Sequence, residues 1–274
     1  MQCAPIKSMI DSERLNDIVK EAGRIALGRW PGAGHEVEMW EKEPGHPVSV
    51  ADLEVDAFLK RELSALLPSA GWLSEETADN PDRLDSDLVW LVDPIDGTRD
   101  FIRGRAGWSI SVALVSNGRP LIGKLSAPAR DEEWLAVAGQ GATLNGIAIQ
   151  ASRRSNFTGA RVPTDQLAKI DRDLAMVDKP NSIALRMAMV AADQADLVAT
   201  LRWGFEWDIG AASLIAREAG AMISDAHGGQ LQFNKRDPRA FGVVVCAPKI
   251  HDAAIARLKE RADLFAKKGM AAFK

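Results

Sequence analysis

Tyrosine is absent from this chain, and its only cysteines are Cys3 and Cys246. Two thiols near opposite ends make neither a disulfide framework nor a CxxC metal site, and they fit reduced thiols in a cytoplasmic protein. The missing tyrosine stands against eight tryptophans, an imbalance from which no chemistry follows. The N-terminal stretch MQCAPIKSMIDSERLND has no apolar core, so no signal peptide is expected. A membrane span is missing too: the longest charge-free run, Trp134 to Ser152, is broken by Gly139, Gln140, Gly141, Asn145 and Gly146. Nor is there a basic surplus, since 34 Lys+Arg stand against 38 Asp+Glu for a formal charge of −4. That balance excludes a coat for nucleic-acid polymers and a polybasic membrane anchor. Internal repeats and low-complexity linkers are absent. What remains is 46% hydrophobic and 26% charged, the mix of an ordinary globular chain, long enough for one large domain or two smaller ones.

Periodicity outlines the elements. Asp11 or Ser12 caps a helix that runs to about Trp30 on the stripe Leu15, Ile18, Val19, Ala22 and Ile25, and Pro31-Gly32-Ala33-Gly34 stops it. Glu43 to Pro47 reads as a loop. Ser49 and Asp52 form a variant capping box for a second helix with Leu53, Ala57, Phe58, Leu63 and Leu66 as its apolar stripe. The apolar run Leu88–Val92 suits a strand buried on both faces. Ser109–Val115 and Pro120–Ser126 form a hairpin about Asn117-Gly118, followed by a strand at Glu133–Ala138. The stretch 150–176 is weakly patterned. Beyond it come a helix at Ser182–Ala192, a strand at Asp196–Thr200, a helix at Asp208–Ala219 closed by Gly220, a strand at Phe241–Cys246 and a last helix from His251 to about Lys267. Strands and helices alternate without regular βαβ spacing, which predicts a layered α/β or α+β fold. The expected division is an N-terminal half, 1–150, and a C-terminal half, 151–274.

The chemistry concentrates at Asp93-Pro94-Ile95-Asp96-Gly97-Thr98-Arg99-Asp100-Phe101, at the end of the buried strand. Asp93 and Asp96 can face one point and share hard cations, with the Ile95 carbonyl between them as a further oxygen ligand. The backbone N–H groups of Gly97 and Thr98, at a helix start, can hold a phosphate oxygen. Oxygen ligands beside an anion cradle point to Mg²⁺ and a phosphate ester. Other acids read either way by themselves. Glu75-Glu76 can be a solvated loop, Asp208 in Glu206-Trp207-Asp208 can be an N-cap, and Asp52 can belong only to its capping box.

Taken together they resemble the inositol monophosphatase superfamily of Mg²⁺-dependent, lithium-sensitive phosphatases. The carriers are Pro47-Val48-Ser49-Val50-Ala51-Asp52, Ser74-Glu75-Glu76, Trp90-Leu91-Val92-Asp93-Pro94-Ile95-Asp96-Gly97-Thr98, and Trp207-Asp208-Ile209-Gly210-Ala211-Ala212 with Glu218-Ala219-Gly220. The resemblance covers almost the whole chain. It implies a layered α/β/α/β/α sandwich of the inositol monophosphatase and fructose-1,6-bisphosphatase kind, with metals at the junction of two α+β halves. It implies two or three Mg²⁺ per active site. Glu75, Asp93 and the Ile95 carbonyl would hold the first, Asp93, Asp96 and Asp208 the second, and Glu75 would help hold a looser third. Asp52, Thr98 and Glu75 would be the catalytic residues, with Thr98 and Asp52 orienting and deprotonating the attacking, metal-activated water. Gly97 and Thr98 would bind phosphate. No covalent phospho-enzyme is implied. The partner would be a small phosphorylated substrate, and homodimers are common in the family.

Details of the motifs lean toward one substrate class. Leu73-Ser74-Glu75-Glu76, Asp100 before Phe101, and Glu206-Trp207-Asp208 are similar to the motifs of 3′(2′),5′-bisphosphate nucleotidases. The segment upstream of Trp207 lacks the acid expected to bind an inositol hydroxyl. Hydrolysis of 3′-phosphoadenosine 5′-phosphate to AMP is therefore the favoured expectation, with inositol-1-monophosphatase, sugar-phosphate or histidinol-phosphate hydrolysis as alternatives. Asn181, Ser182 and Glu206 are expected to touch substrate. Asn181-Ser182 replaces the family's usual Gly-Ser/Thr, a turn that Asn can enter in the left-handed region. Arg99, Lys179, Arg186 and Arg202 are candidate partners for a second phosphate.

Overall fold

Successive residues of a strand face opposite sides of its sheet, so the Leu88–Val92 run demands an apolar layer on each side. The computed structural model, which describes residues 10–32, 36–43 and 46–272, supplies both. Cys3, Ala33 and Gly34 lie outside the described residues. The chain begins with α1 (Ser12–Leu27), a hairpin of β1 (Met39–Glu43) and β2 (His46–Ser49), α2 (Val50–Leu66), β3 (Gly71–Ser74), β4 (Leu88–Asp96) and the short α3 (Thr98–Ile102). An antiparallel series follows: β5 (Ser109–Ser116), β6 (Arg119–Ala127), β7 (Glu132–Val137), β8 (Ala142–Leu144) and β9 (Ile147–Ala148). Next come β10 (Arg161–Pro163), β11 (Ala175–Val177), α4 (Ile183–Ala191), β12 (Leu197–Ala199), β13 (Trp203–Phe205) and α5 (Glu206–Glu218). The chain closes with β14 (Met222–Ser224), β15 (Arg239–Phe241), β16 (Val244–Cys246) and α6 (His251–Ala272).

Strands β3 to β9 form one seven-stranded sheet in chain order, parallel at β3/β4 and antiparallel elsewhere. Trp90 and Val92 face α1 and α2, whereas Val89 and Leu91 face α4 and α5. A second antiparallel sheet, β12-β16-β14, packs on the far side of α4 and α5, and α6 covers its outer face. The order of layers is therefore α/β/α/β/α, as the sequence implied. Close approach of α5 to the large sheet depends on Gly123 in β6, where a Cβ would lie 2.5 Å from the Ala211 carbonyl oxygen. Asn117 and Gly118 both take positive φ, 49° and 73°, which matches the twist a two-residue hairpin requires.

Several expectations need correction. The first helix ends at Leu27, three residues before Trp30, because Gly28 caps it and its N–H returns to Arg24. Glu43, His46 and Pro47 of the expected loop belong to paired strands instead, and its remaining residues, 44 and 45, lie outside the described residues. The expected α2 stripe holds only in part: Leu63 is buried and Phe58 and Leu66 pack against the core, but Leu53 and Ala57 are exposed, and Ala51, Val55 and Leu59 point inward instead, beside Asp52 and Asp56. Those two acids dilute the apolar signal of the face that is buried. The weakly patterned stretch holds a short parallel pair, β10-β11. The tryptophans serve as apolar volume. Trp90, Trp108 and Trp134 are fully buried and their indole N–H groups have no hydrogen-bond partner.

Ion pairs fasten the segment 158–173 to its surroundings. Arg161 donates to Asp196 through Nε and Nη2 at 3.0 and 2.8 Å, and Arg257 donates to Asp173 at 2.8 and 3.0 Å. The Arg257 bonds hold Asp173 at a pKa of about 2. Burial pushes Asp196 up, but the Arg161 and Ser152 hydrogen bonds outweigh it and bring it also to about 2. Both values lie below the unfolded figure of about 3.9. Their stabilisation is thus present above about pH 4 and is lost as pH falls through about 2. After allowance for solvent screening, Asp196 contributes about 1 kcal/mol. Urea midpoints between pH 4 and pH 2 are expected to fall, and to fall less steeply in Asp196→Asn; equal slopes would contradict the assignment.

Candidate active site

The parallel register of β3 and β4 brings two acids side by side. Ser74 pairs with Val92, so Glu75, the first residue past β3, comes level with Asp93 of β4, and the Glu75 N–H donates to the Val92 carbonyl at 3.2 Å. The next turn is a bulge: Asp93 opposes Ser111 and Asp96 opposes Ser109, which leaves one extra residue on β4. Pro94 falls there, where no ladder N–H is needed. The chain then turns at Gly97, whose φ is 96° and whose Cβ, were there one, would lie 2.7 Å from the Gly107 carbonyl oxygen and 2.8 Å from the Ser182 nitrogen. Only glycine fits both the left-handed backbone and the space. Phe101 and Trp108 pack edge to face beneath this turn, 4.9 Å between ring centres, and hold it from below.

Helix α5 delivers the third acid. Asp208 is not the N-cap; Phe205 is, and Asp208 accepts the Phe205 N–H at 3.0 Å from the first turn. The Ser111 hydroxyl donates to the Trp207 carbonyl at 3.1 Å and pins this helix start over β5. As a result Glu75, Asp93 and Asp208 each present a carboxylate oxygen within 4.8 Å of the others. Burial, then the charge of Asp208, pushes Glu75 up to about 8. Burial, then Asp96, pushes Asp208 up to about 7. Asp93 lies well above the ordinary carboxylate range, first through burial and then through Glu75, Asp96, Asp208 and Asp52. One buried and two half-buried carboxylates held this close are mutually unfavourable, and a hard divalent cation such as Mg²⁺ fits this all-oxygen donor set.

Asp96 lies beside the trio but turns toward α4. Its Oδ2 accepts from the Ser182 hydroxyl at 2.5 Å and the Ala184 N–H at 2.7 Å, and its Oδ1 from the Ile183 N–H at 3.3 Å. Burial raises its pKa against those bonds and against Arg186. Thr98 and Asp52 meet: the Thr98 hydroxyl is 3.2 Å from Asp52 Oδ1 and 3.0 Å from the Ile95 carbonyl. Asp52 Oδ2 is engaged by the Ser49 hydroxyl and N–H at 2.6 and 2.8 Å.

Glu75, Asp93, Ile95, Asp96, Gly97, Thr98 and Asp208 share a cleft of about 370 Å³ with Asn181, Arg99, Arg186 and Arg202. Two expected substrate residues fall outside it. Glu206 is fully buried, with its carboxylate accepting from the Asn234 and Lys235 N–H groups. It cannot touch substrate, because residues two apart on a helix do not share a face, and Asp208 has the face on the cleft. Ser182 is also buried; it caps α4 by accepting the Leu185 N–H at 2.9 Å while donating to Asp96. Asn181 keeps a negative φ, so its turn does not use the left-handed region. Lys179 lies outside the cleft and pairs with Asp165 at 2.5 Å.

Four residues were missed. Lys42, from the β1-β2 hairpin, stands 3.9 Å from Glu75 Oε1 and hydrogen-bonds Glu76. Asp56 accepts from the Ser74 and Thr77 hydroxyls behind Glu75. Neither carries a local signal. Trp203 and Phe205 line the cleft beside Asp208, to which Phe205 donates its N–H, and here a signal existed: two aromatics two apart in a strand share one face.

The model of the inositol monophosphatase family matches residues 12–263. An inositol-1-monophosphatase from Mesorhizobium japonicum is 32% identical over 81% of this chain and 89% of its own length. A 3′(2′),5′-bisphosphate nucleotidase, CysQ, from Aggregatibacter actinomycetemcomitans is 30% identical over 72% of this chain and 78% of its own. Among solved structures, an inositol monophosphatase from Thermotoga maritima superposes with a TM-score of 0.78 at 27% identity, covering 91% of this chain and 97% of that one.

Proposed function

The chain belongs to the inositol monophosphatase family of Mg²⁺-dependent phosphate-monoester hydrolases, and on that premise we propose that it removes the 3′-phosphate of a nucleoside 3′,5′-bisphosphate, 3′-phosphoadenosine 5′-phosphate being the type substrate. The observation that carries this reading is the part of the cleft lining that is not acidic. Arg186 and Arg202 line the cleft beside Trp203 and Phe205. Two guanidinium groups suit a second phosphate, and two aromatic faces suit a base. An inositol ring carries neither feature. The family name borne by the Mesorhizobium protein supports inositol 1-phosphate as the second reading.

In this proposal Glu75, Asp93, Asp96, Asp208 and the Ile95 carbonyl hold two or three Mg²⁺. Bound there, Mg²⁺ supplies positive charge to the phosphoryl oxygens and the departing alkoxide and acidifies water. The residues do the rest. Thr98 Oγ1 takes a proton from the attacking water as its own hydroxyl proton passes to Asp52 Oδ1, so Thr98 ends unchanged and Asp52 holds the proton. Burial holds Asp52 above the ordinary carboxylate range, the Ser49 hydrogen bonds notwithstanding, which makes it a better proton acceptor. Glu75, on the far side, orients the same water. The N–H groups of Gly97 and Thr98 orient the phosphoryl oxygens. Lys42 completes the rim above Glu75.

Arg202→Gln tests the reading. Wild type is expected to prefer 3′-phosphoadenosine 5′-phosphate over 3′-AMP, and the variant to lose about 2 kcal/mol of that preference, roughly thirtyfold in kcat/KM. An unchanged ratio would remove Arg202 from the proposed phosphate site.

A further inference from the structure

A second cavity, of about 260 Å³, lies behind α4 and under the segment 163–171. Leu197 and Ala199 of β12 and Ala254 and Leu258 of α6 floor it, with Leu174 among the residues around them. Its charged lining is almost all of one sign: Lys179, Arg186, Arg257 and Arg261 reach it, and Asp171 is the one acid that does. A floor of leucine and alanine is a poor host for water, which needs several polar partners to settle.

The four cations are not equivalent. Arg257 and Arg261 are fastened to Asp173 and Asp171, and Lys179 to Asp165. Arg186 is only 8% exposed and forms no ion pair among the described residues. Its Nε donates to the Ser182 carbonyl at 3.2 Å and its Nη2 to the Asn181 carbonyl at 3.3 Å. A buried guanidinium without a carboxylate in contact is costly, and an incoming anion would relieve that cost. Arg186 also lines the active cleft, so it is the partition between the two cavities. The residues whose carbonyls it holds reach the site as well: the Asn181 N–H donates to Asp100 at 3.0 Å and the Ser182 hydroxyl to Asp96.

We propose that this cavity is a second ligand site, for a small organic anion with an apolar body, and that its occupancy is felt in the active cleft through Arg186. The apolar body fills the leucine-floored space and the anionic head meets Arg186. Drawn toward that head, Arg186 is withdrawn from the cleft, and substrate binding weakens. The site itself is independent of the substrate reading above; the coupling rests on it, since it needs a substrate that uses Arg186.

The probe is 1-anilinonaphthalene-8-sulfonate, titrated by fluorescence into the full chain with Mg²⁺ present. Binding of one probe per chain is expected. It should weaken at least tenfold in Leu167→Trp and Thr164→Trp, two replacements in the covering segment that fill the cavity, while hydrolysis stays within twofold of wild type. The neutral analogue N-phenyl-1-naphthylamine, which lacks the sulfonate, should bind at least tenfold more weakly. Saturating probe should raise KM for 3′-phosphoadenosine 5′-phosphate at least threefold in wild type and leave it unchanged in Leu167→Trp. Equal probe binding by wild type and both filled variants would overturn the site, as would displacement of the probe by inorganic phosphate or loss of binding as protein concentration rises. Probe binding that meets these criteria without a change in KM would overturn the coupling and leave the site standing.

Discussion

Asp93→Asn is expected to lower kcat/KM by about 10³-fold and, in the same protein, to raise the melting temperature measured without metal. The two effects have one cause. Asp93 is 2% exposed and sits among Glu75, Asp96, Asp208 and Asp52, all acids. Under the proposed assignment it is the ligand common to two Mg²⁺, so its charge is needed for turnover and is unfavourable when no cation is present. Asparagine keeps the local structure, because its Oδ1 can still accept the Ile95 N–H that Asp93 accepts at 3.0 Å. Function and apo stability therefore move in opposite directions, which a merely structural aspartate would not do. Activity near wild type, or a fall in the metal-free melting temperature, would count against the assignment.

Wild-type protein is expected to melt at least about 5 °C higher in millimolar Mg²⁺ than in EDTA. A ligand at a hundred times its dissociation constant adds about 2.7 kcal/mol to folding. In a chain of this size each kcal/mol moves the midpoint by about 2–4 °C. The observation behind the prediction is the Glu75, Asp93, Asp208 trio, with ligand oxygens within 4.8 Å of one another. In Asp93→Asn the shift should shrink to a fraction of the wild-type value. Identical melting curves with Mg²⁺ and with EDTA would show that these acids hold no cation.

The site was legible in the sequence where its chemistry is local. Asp93-Pro94-Ile95-Asp96-Gly97-Thr98 offers two acids about a turn and a helix start within six neighbouring residues, whereas the bulge and the left-handed Gly97 come only with the fold. Glu75 became interpretable through parallel pairing of β3 with β4, a long-range fact that no local pattern states. Proximity in sequence misled at Glu206, where the angle between helix positions mattered more than the interval. It misled at Ser182 too, where the hydroxyl is committed to capping α4 and to Asp96. The stripe on α2 failed at Leu53 and Ala57, while Leu63, Phe58 and Leu66 held, because Asp52 and Asp56 share the inner face. Lys42 was invisible because a lysine on a hairpin carries no sign of what it reaches. The parallel pair β10-β11 was hidden for a related reason: its strands are three residues each, too short for periodicity to register.

Under the proposed assignment the lining of the cleft makes two demands on a ligand. The acids, once they hold cations, would accept any phosphate monoester, and Arg186, Arg202, Trp203 and Phe205 would select among them. A negative net charge is then no obstacle to an anionic substrate, since bound metal would reverse the sign of the gathered acids Glu75, Asp93 and Asp208.

The most direct test is kcat/KM, with Mg²⁺, across 3′-phosphoadenosine 5′-phosphate, inositol 1-phosphate, fructose 1,6-bisphosphate and histidinol phosphate. The bisphosphate nucleotide is expected to lead by at least about tenfold, the equivalent of one charge-assisted contact. Inositol 1-phosphate equal to it or ahead of it would contradict the assignment of the cationic and aromatic wall.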